Sequence, residues 1–292
     1  MRRRLAKIAK VETGGGKLFP AAVIIDSRGV IRFTGSALES VGIRHGDELL
    51  SINGIEADAI EETLASRMRG NSALGRLIME RYFPQYFWAV FGGHDRYVVD
   101  VRSDEHVRTL NLPSDIPDSG GDEAPFTFEI LNENTGYMDI ATFDISEKDR
   151  FQTFLARAFA QINANGIDTL IIDLRKNGGG AHDVSDLLMG YLTDKPFSSI
   201  SRLTARITPE NINRIPGAKL GDVVKLPFEQ IIKPPKVLPH RFKGDVYALI
   251  GGLTYSQAIA FSSTLQDYKL ATIVGEETEG PANQTGQVQS LI

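Results

Sequence analysis

Thr169-Leu170-Ile171-Ile172-Asp173-Leu174 runs without a turn signal into Arg175-Lys176-Asn177-Gly178-Gly179-Gly180. The first six residues are too few for a helix and show almost no polar face, which is the pattern of a central parallel strand covered on both sides. The glycines then break the strand and hand the chain to a new element. Upstream, Gly136 to Phe143 reads as a strand and Ser146 opens a helix, with Asp149 three residues on as a weak capping box. Phe151, Phe154, Leu155, Ala158 and Ile162 recur at helical spacing and share one face, until Asn165-Gly166 stops the helix. Downstream, Val184, Leu187, Leu188, Tyr191 and Leu192 form the next apolar stripe. Val246 to Ile250 reads as a second buried strand, Ser256 to Asp267 as a helix and Leu270 to Val274 as a further strand. Strand alternating with helix predicts an α/β core with crossover connections over 126–292.

The text before it has another rhythm. Ala21 to Ile25 and Val30 to Phe33 read as strands split by Asp26-Ser27-Arg28-Gly29. Ser36 to Val41 reads as a short helix stopped by Gly42, and Glu48 to Ile52 as a strand closed by Asn53-Gly54. Ala57 to Met68 is expected to be helical, which completes a small β-rich domain over 18–70. Residues 71–125 read as a connector: a helix from Ser72 to Phe87, an aromatic stretch to Phe91, a hairpin of Arg96 to Val101 with His106 to Leu110, and a loop from Pro113 to Pro125. Residues 1–17 are left as an N-terminal segment.

Composition removes several function classes. Of 292 residues, 42% are apolar and 24% charged, with 28 Gly and 13 Pro, so a collagen, a coiled coil and a wholly disordered chain are excluded. A net charge of -5, from 32 basic and 37 acidic residues, offers no general attraction to nucleic acid. The absence of cysteine removes disulfides, thiolate metal sites and thiol nucleophiles. Met1-Arg2-Arg3-Arg4 imitates the basic start of a signal peptide, but Lys7 and Lys10 interrupt the apolar stretch after it, so no export signal is read. No window approaches the ~20 apolar residues of a membrane-spanning helix.

Two strand-to-helix corners could carry chemistry: 173–180, and Gly251-Gly252-Leu253-Thr254-Tyr255-Ser256-Gln257-Ala258. In open α/β sheets such corners gather at the carboxyl edge of the strands, where sites form. Ser256 falls at the start of a helix, where backbone N–H groups and the helix dipole favour a developing oxyanion. Read alone, Ser256 or Thr254 serves equally as an N-cap. The glycine loop can supply a second oxyanion donor, or be a phosphate cradle or a loose turn, although it lacks the Gly-Lys-Ser/Thr ending of a P-loop.

Ser36 to Gly54, with Gly42-Ile43-Arg44-His45-Gly46-Asp47 at its centre, resembles the core signature of PDZ domains. Such modules bind an extended peptide or C-terminus as an added strand. Gly14-Gly15-Gly16 with Leu18-Phe19 loosely matches their carboxylate loop. Four further stretches, Gly136 to Ile140, Ile171 to Gly180, Thr254 to Ala258 and Ile273 to Gly280, resemble the tail-specific, or carboxy-terminal processing, serine peptidases. The resemblance runs from about Leu18 to the end. It implies a crotonase/Clp-protease-like α/β core joined to a PDZ module, with Ser256 as nucleophile, Gln257 giving one oxyanion N–H and Gly179 or Gly180 the other. No metal or organic cofactor is implied, and the implied partner is a polypeptide substrate. The family suggests the cell envelope.

The base departs from the Ser-Lys members, because Pro281 follows Gly280 where they carry lysine. Lys269, the only lysine after Ser256, reads as a surface residue. This resembles the tricorn-like branch, which uses a histidine before the PDZ module and a glutamate beyond the last residue here. The chain starts almost at the PDZ-like text and stops at Gln289-Ser290-Leu291-Ile292 in apparent mid-strand, the expectation for a fragment. Of the five histidines, His182 is the best internal substitute, as it follows the glycine loop by two residues. His45 lies in the PDZ-like turn, His94 follows two glycines, and His106 and His240 have no loop context. Asp173 and Arg175 read as structural. A serine endopeptidase is the first expectation. A protease-like peptide or apolar-ligand binder without turnover is the alternative, and an acyl-CoA enzyme of the crotonase type ranks below both.

Overall fold

Two units make up the chain, dividing between Glu123 and Ala124, and each has its own apolar core. The computed structural model describes residues 17–35, 38–68, 73–114, 124–200, 202–227 and 231–281. The expected carboxylate loop at 14–16, the middle of the expected linker and the tail at 289–292 lie outside the described residues.

The first unit contains β1 (Val23–Ile25), β2 (Ile31–Phe33), β3 (Glu48–Ile52), β4 (Ile55–Glu56), α1 (Ala57–Ala65), α2 (Ala73–Arg81), α3 (Phe83–Phe91), β5 (Arg96–Ser103) and β6 (His106–Pro113). The strands pair antiparallel in the order β1-β2-β3-β5-β6, with β4 on β3. Asn53 and Gly54 turn β3 into β4 with φ of 51° and 76°, the positive values a two-residue hairpin turn requires. Residues 73–114 do not stand apart as a connector. Tyr97, Val99 and Val101 alternate along β5, and this apolar face is buried in one core with Phe19, Phe33, Phe83 and Phe87. The Phe19 ring lies 5.3 Å from Tyr97 and 5.7 Å from Phe83, both edge-on. The single helix expected over 72–87 is two. Pro84 stands in the first turn of α3, where its missing N–H costs nothing, whereas inside a continuous helix it would clash with the preceding turn.

The second unit contains β7 (Phe126–Ile130), β8 (Thr135–Ile140), α4 (Lys148–Ala164), β9 (Thr169–Asp173), α5 (His182–Leu192), β10 (Arg202–Arg206), β11 (Val223–Pro227), β12 (Asp245–Ile250), α6 (Gln257–Asp267) and β13 (Thr272–Gly275). Its main sheet runs β13-β12-β9-β8-β7, parallel except for β7, which pairs antiparallel with β8. This is a mixed α/β fold. Phe151, Leu155, Ala158 and Ile162 of α4 are buried as their spacing predicts, together with Phe159. They pack with Met138, Ile140, Leu170, Ile172, Ala248 and Phe261 into one core. β10 and β11 form a separate antiparallel pair that the sequence reading did not separate from loop. Among the described residues, no helix is long and apolar enough to cross a membrane. Because β9 and β12 are neighbours and parallel, with Leu249 opposite Asp173, their carboxyl ends open at one edge and their corners meet there.

Candidate active site

At the end of β9, Asp173 is 5% exposed and fully engaged. Tyr137 donates its hydroxyl to Oδ2 at 2.6 Å, the Arg175 backbone N–H reaches Oδ1 at 2.9 Å, and the Arg175 guanidinium bonds Oδ2 through Nη2 at 2.5 Å. Burial pushes the Asp173 carboxyl up, but the Arg175 and Tyr137 bonds outweigh it and hold it below the usual carboxylate range. Burial and the neighbouring carboxylate push the Tyr137 hydroxyl up to about 12. The clasp keeps Asp173 ionised and bound, and it fixes the start of the glycine loop.

Asn177, 0% exposed, joins three strand ends. Its Nδ2 donates to the Ile140 carbonyl at the end of β8 at 2.9 Å, and its Oδ1 accepts the Gly179 N–H at 2.8 Å. Its backbone carbonyl accepts the Tyr255 N–H at 2.9 Å, across from the second corner. Thr254, also 0% exposed, adds a second tie. Its hydroxyl donates to the Leu174 carbonyl at 2.8 Å and accepts the Gly251 N–H at 3.0 Å. Thr254 is therefore a strap between corners and not an N-cap.

These ties press the two corners together. Gly179 has φ of 94°, and a Cβ there would stand 2.6 Å from Ser256 Cβ and 2.7 Å from the Gln257 nitrogen. A Cβ on Gly180, at φ 150°, would stand 2.0 Å from the Phe143 carbonyl oxygen. Phe143 donates to the Gly179 carbonyl at 3.0 Å and accepts from Ala181 at 2.8 Å, so the loop is laced alongside it. The two glycines are not equivalent donors, since the Gly179 N–H is already committed to Asn177.

Ser256 occupies the N-cap position of α6 with φ of 54° and ψ of -124°, and its side chain makes no capping bond. A non-glycine residue in such a conformation costs about 1–3 kcal/mol and persists where surrounding structure enforces it. Gln257 is the first residue of the helix. Its Nε2 donates to Ser185 Oγ at 3.0 Å, and buried Ser185 donates to the His182 carbonyl at 3.0 Å, which anchors α6 to α5.

The structure thus brings Gly179, Gly180, Ser256 and Gln257 to one edge. His182 opens α5 nearby in the chain, but its ring Nδ1 lies 2.8 Å from Asp183 Oδ1 and 3.8 Å from Asp186 Oδ2 on its own helix. Burial, with Asp183 adding to it, pushes the Asp186 carboxyl up to about 6 against the opposing pull of His182. Lys269 is exposed beyond the far end of α6, an eleven-residue helix with a rise of about 16 Å, and Ser256 stands at its start. Gly280 packs on the Tyr255 ring, where a Cβ would approach to 2.6 Å, so Pro281 follows a residue that touches the neighbour of Ser256. Asn177, Thr254 and Ser185 were missed as site-builders. No local signal marked Asn177, whose amide bonds Ile140 far upstream.

Such a hydroxyl, backed by the first turn of a helix and faced by a glycine loop, suits nucleophilic attack on a carbonyl with capture of the oxyanion. The sequence profile described as Peptidase family S41 matches residues 134–290, which include both corners. The tail-specific protease of Haemophilus influenzae is 24% identical over 159 residues, 54% of this chain, and the chain spans 19% of that relative's length. Mature CPAF superposes with a TM-score of 0.60 at 18% identity, over 89% of this chain and 68% of CPAF. CPAF complexed with lactacystin gives 0.59 at 18% identity, over 90% and 70%. These structures share the fold. Because the profile takes in more than half the chain and both corners, the chain belongs to Peptidase family S41, a family of serine-type hydrolases.

Proposed function

We propose that the chain is a serine endopeptidase of the tail-specific type, in which Ser256 Oγ attacks the carbonyl carbon of a peptide bond. The carbonyl oxygen takes the negative charge and is held by the N–H of Gln257 and an N–H of the glycine loop, assigned to Gly180 since Gly179 is occupied. The amine leaves with a proton, and water then cleaves the acyl-enzyme. The observation that carries this reading is the Ser256 corner. The residue is held at positive φ, its side chain does not cap the helix, and Gly179 lies so close that any side chain would strike it.

The tricorn-like assignment places the base on a histidine and a glutamate outside the matched corners. It rests on Pro281 standing where the Ser-Lys members carry lysine. His182, its Nδ1 on Asp183, is the internal competitor. The first unit is proposed to be PDZ-like and to capture a polypeptide end. The support is an antiparallel sheet with Gly42 and Gly46 at φ of 89° in the quoted signature. The cell envelope is the proposed compartment.

A fluorophosphonate probe tests the reading. Labelling of the wild-type chain that disappears in Ser256→Ala supports it, and labelling that survives His182→Ala assigns the base elsewhere. Absence of labelling in folded protein extended on both sides by its flanking coding sequence favours the second reading, a peptide binder without turnover, to which Pro281 also points.

A further inference from the structure

Among the described residues β1 is an edge strand of the first unit's sheet, and hydrogen-bond parity defines which of its groups face away from β2. The Ala22 carbonyl accepts from Thr34 N at 3.0 Å and the Asp26 N–H donates to Val30 O at 3.0 Å, both toward β2. Alternation along the strand then turns the N–H and C=O groups of Val23 and Ile25 outward, where an added strand would pair. The outward Ile25 N–H is not open. It donates to Glu80 Oε1 of α2 at 2.7 Å. A carboxylate oxygen stands where the carbonyl of an incoming peptide would stand.

α2 is also placed to block the space beyond that bond, since it packs against both β1 and α1. Its hold is shallow. Among the described residues of α2, Met79 alone is fully buried, whereas α1 buries Ala57, Ile60 and Leu64, and α3 buries Phe83, Pro84 and Phe87. A helix with one buried side chain belongs to the low-stability end of a domain and opens before its neighbours. We propose that β1 is a strand-pairing edge for an extended peptide, and that α2 is its built-in competitor, closing the edge through Glu80. This deepens the peptide-capture part of the proposed function and rests on it. Peptide binding at this edge then requires α2 to withdraw, which makes capture a gated step.

The test uses the full chain and a fluorescein-labelled Gly-Ser-Thr-Val-Val-Val peptide with a free carboxylate, followed by anisotropy. Glu80→Ala removes the stand-in acceptor, and Met79→Ala loosens α2 without touching the edge. Each is expected to tighten peptide binding about tenfold, the scale of one charge-assisted hydrogen bond. Glu80→Gln keeps an acceptor oxygen without its charge and is expected to tighten binding less than Glu80→Ala does. Amide exchange at Ile25 should be slow in wild type and accelerated in Glu80→Ala without peptide. Unchanged affinity in both loosened variants overturns the proposal, as does unchanged exchange at Ile25. Fluorophosphonate labelling of Ser256 in the same samples separates the failures: retained labelling with unchanged affinity removes the gate alone, while absent labelling removes the peptidase reading.

Discussion

Ser256 and Gly179 constrain each other. The serine is held at φ 54° by ties on both sides, and at Gly179 the absence of a side chain leaves room for it. Gly179→Ala is therefore expected to leave the far-UV circular dichroism near wild type while cutting the fluorophosphonate labelling rate by about 100-fold, the scale of an ångström-sized misplacement of reacting groups. Gly180→Ala should behave differently. Its Cβ would overlap the Phe143 carbonyl, so soluble yield is expected to fall along with activity. Asn177→Ala leaves the Ile140 carbonyl and the Gly179 N–H without their partner, at a cost of about 2–4 kcal/mol from two buried groups. Urea denaturation should show that loss, and labelling should slow with it. The place of Ser256 at the start of a helix could be read in the sequence, because a glycine-led turn after a buried strand has a local signature. Asn177 could not, because its amide acts on Ile140, thirty-seven residues away, and no local pattern encodes that bond.

At the level of elements, α5 carries a pH response. Asp186 has its carboxyl pushed up to about 6 by burial, against an ordinary 3.8. The folded state therefore holds the proton more tightly than the unfolded state between these values. Stability from this group is greatest at low pH and is lost as pH rises from about 4 through about 6, by at most about 3 kcal/mol. Asp186→Asn should remove this slope, and thermal melts of both proteins across that range would show it as a narrowing difference toward acid. The α4 stripe and the β9 and β12 runs were legible because each repeats one spacing over enough residues to exclude the other. β7 was not, because Phe126 to Ile130 follows a Pro- and Gly-rich stretch and its apolar positions gain meaning only from pairing with β8. The expected 72–87 helix failed at Pro84, a local signal outweighed in the reading by a long apolar stretch.

Among the described residues the molecule has two cores that share no residue, and its single tryptophan, half-buried Trp88, lies in the first unit. Phe159→Ala opens a cavity in the second core at a cost of about 3–5 kcal/mol. Thermal unfolding of the second unit should move down accordingly, while the transition seen by Trp88 fluorescence stays in place. Coincident shifts in both signals would show that the units unfold as one. The start of the second unit, read at 126 and found at 124, was legible, but the membership of residues 73–114 in the first unit was not, because they resemble a connector until β5 is seen pairing with β3. The Thr254 and Asn177 straps bear on the life of the chain before it is finished. Each spans from the β9 end to the β12 end, nearly eighty positions later. A ribosome-bound chain that has released only the first of these strands owns the glycine loop but not the Ser256 corner, so the candidate site would be completed in a single step at closure of the sheet. For the peptidase proposed above, that order of assembly would spare unfinished neighbours without a separate inhibitor.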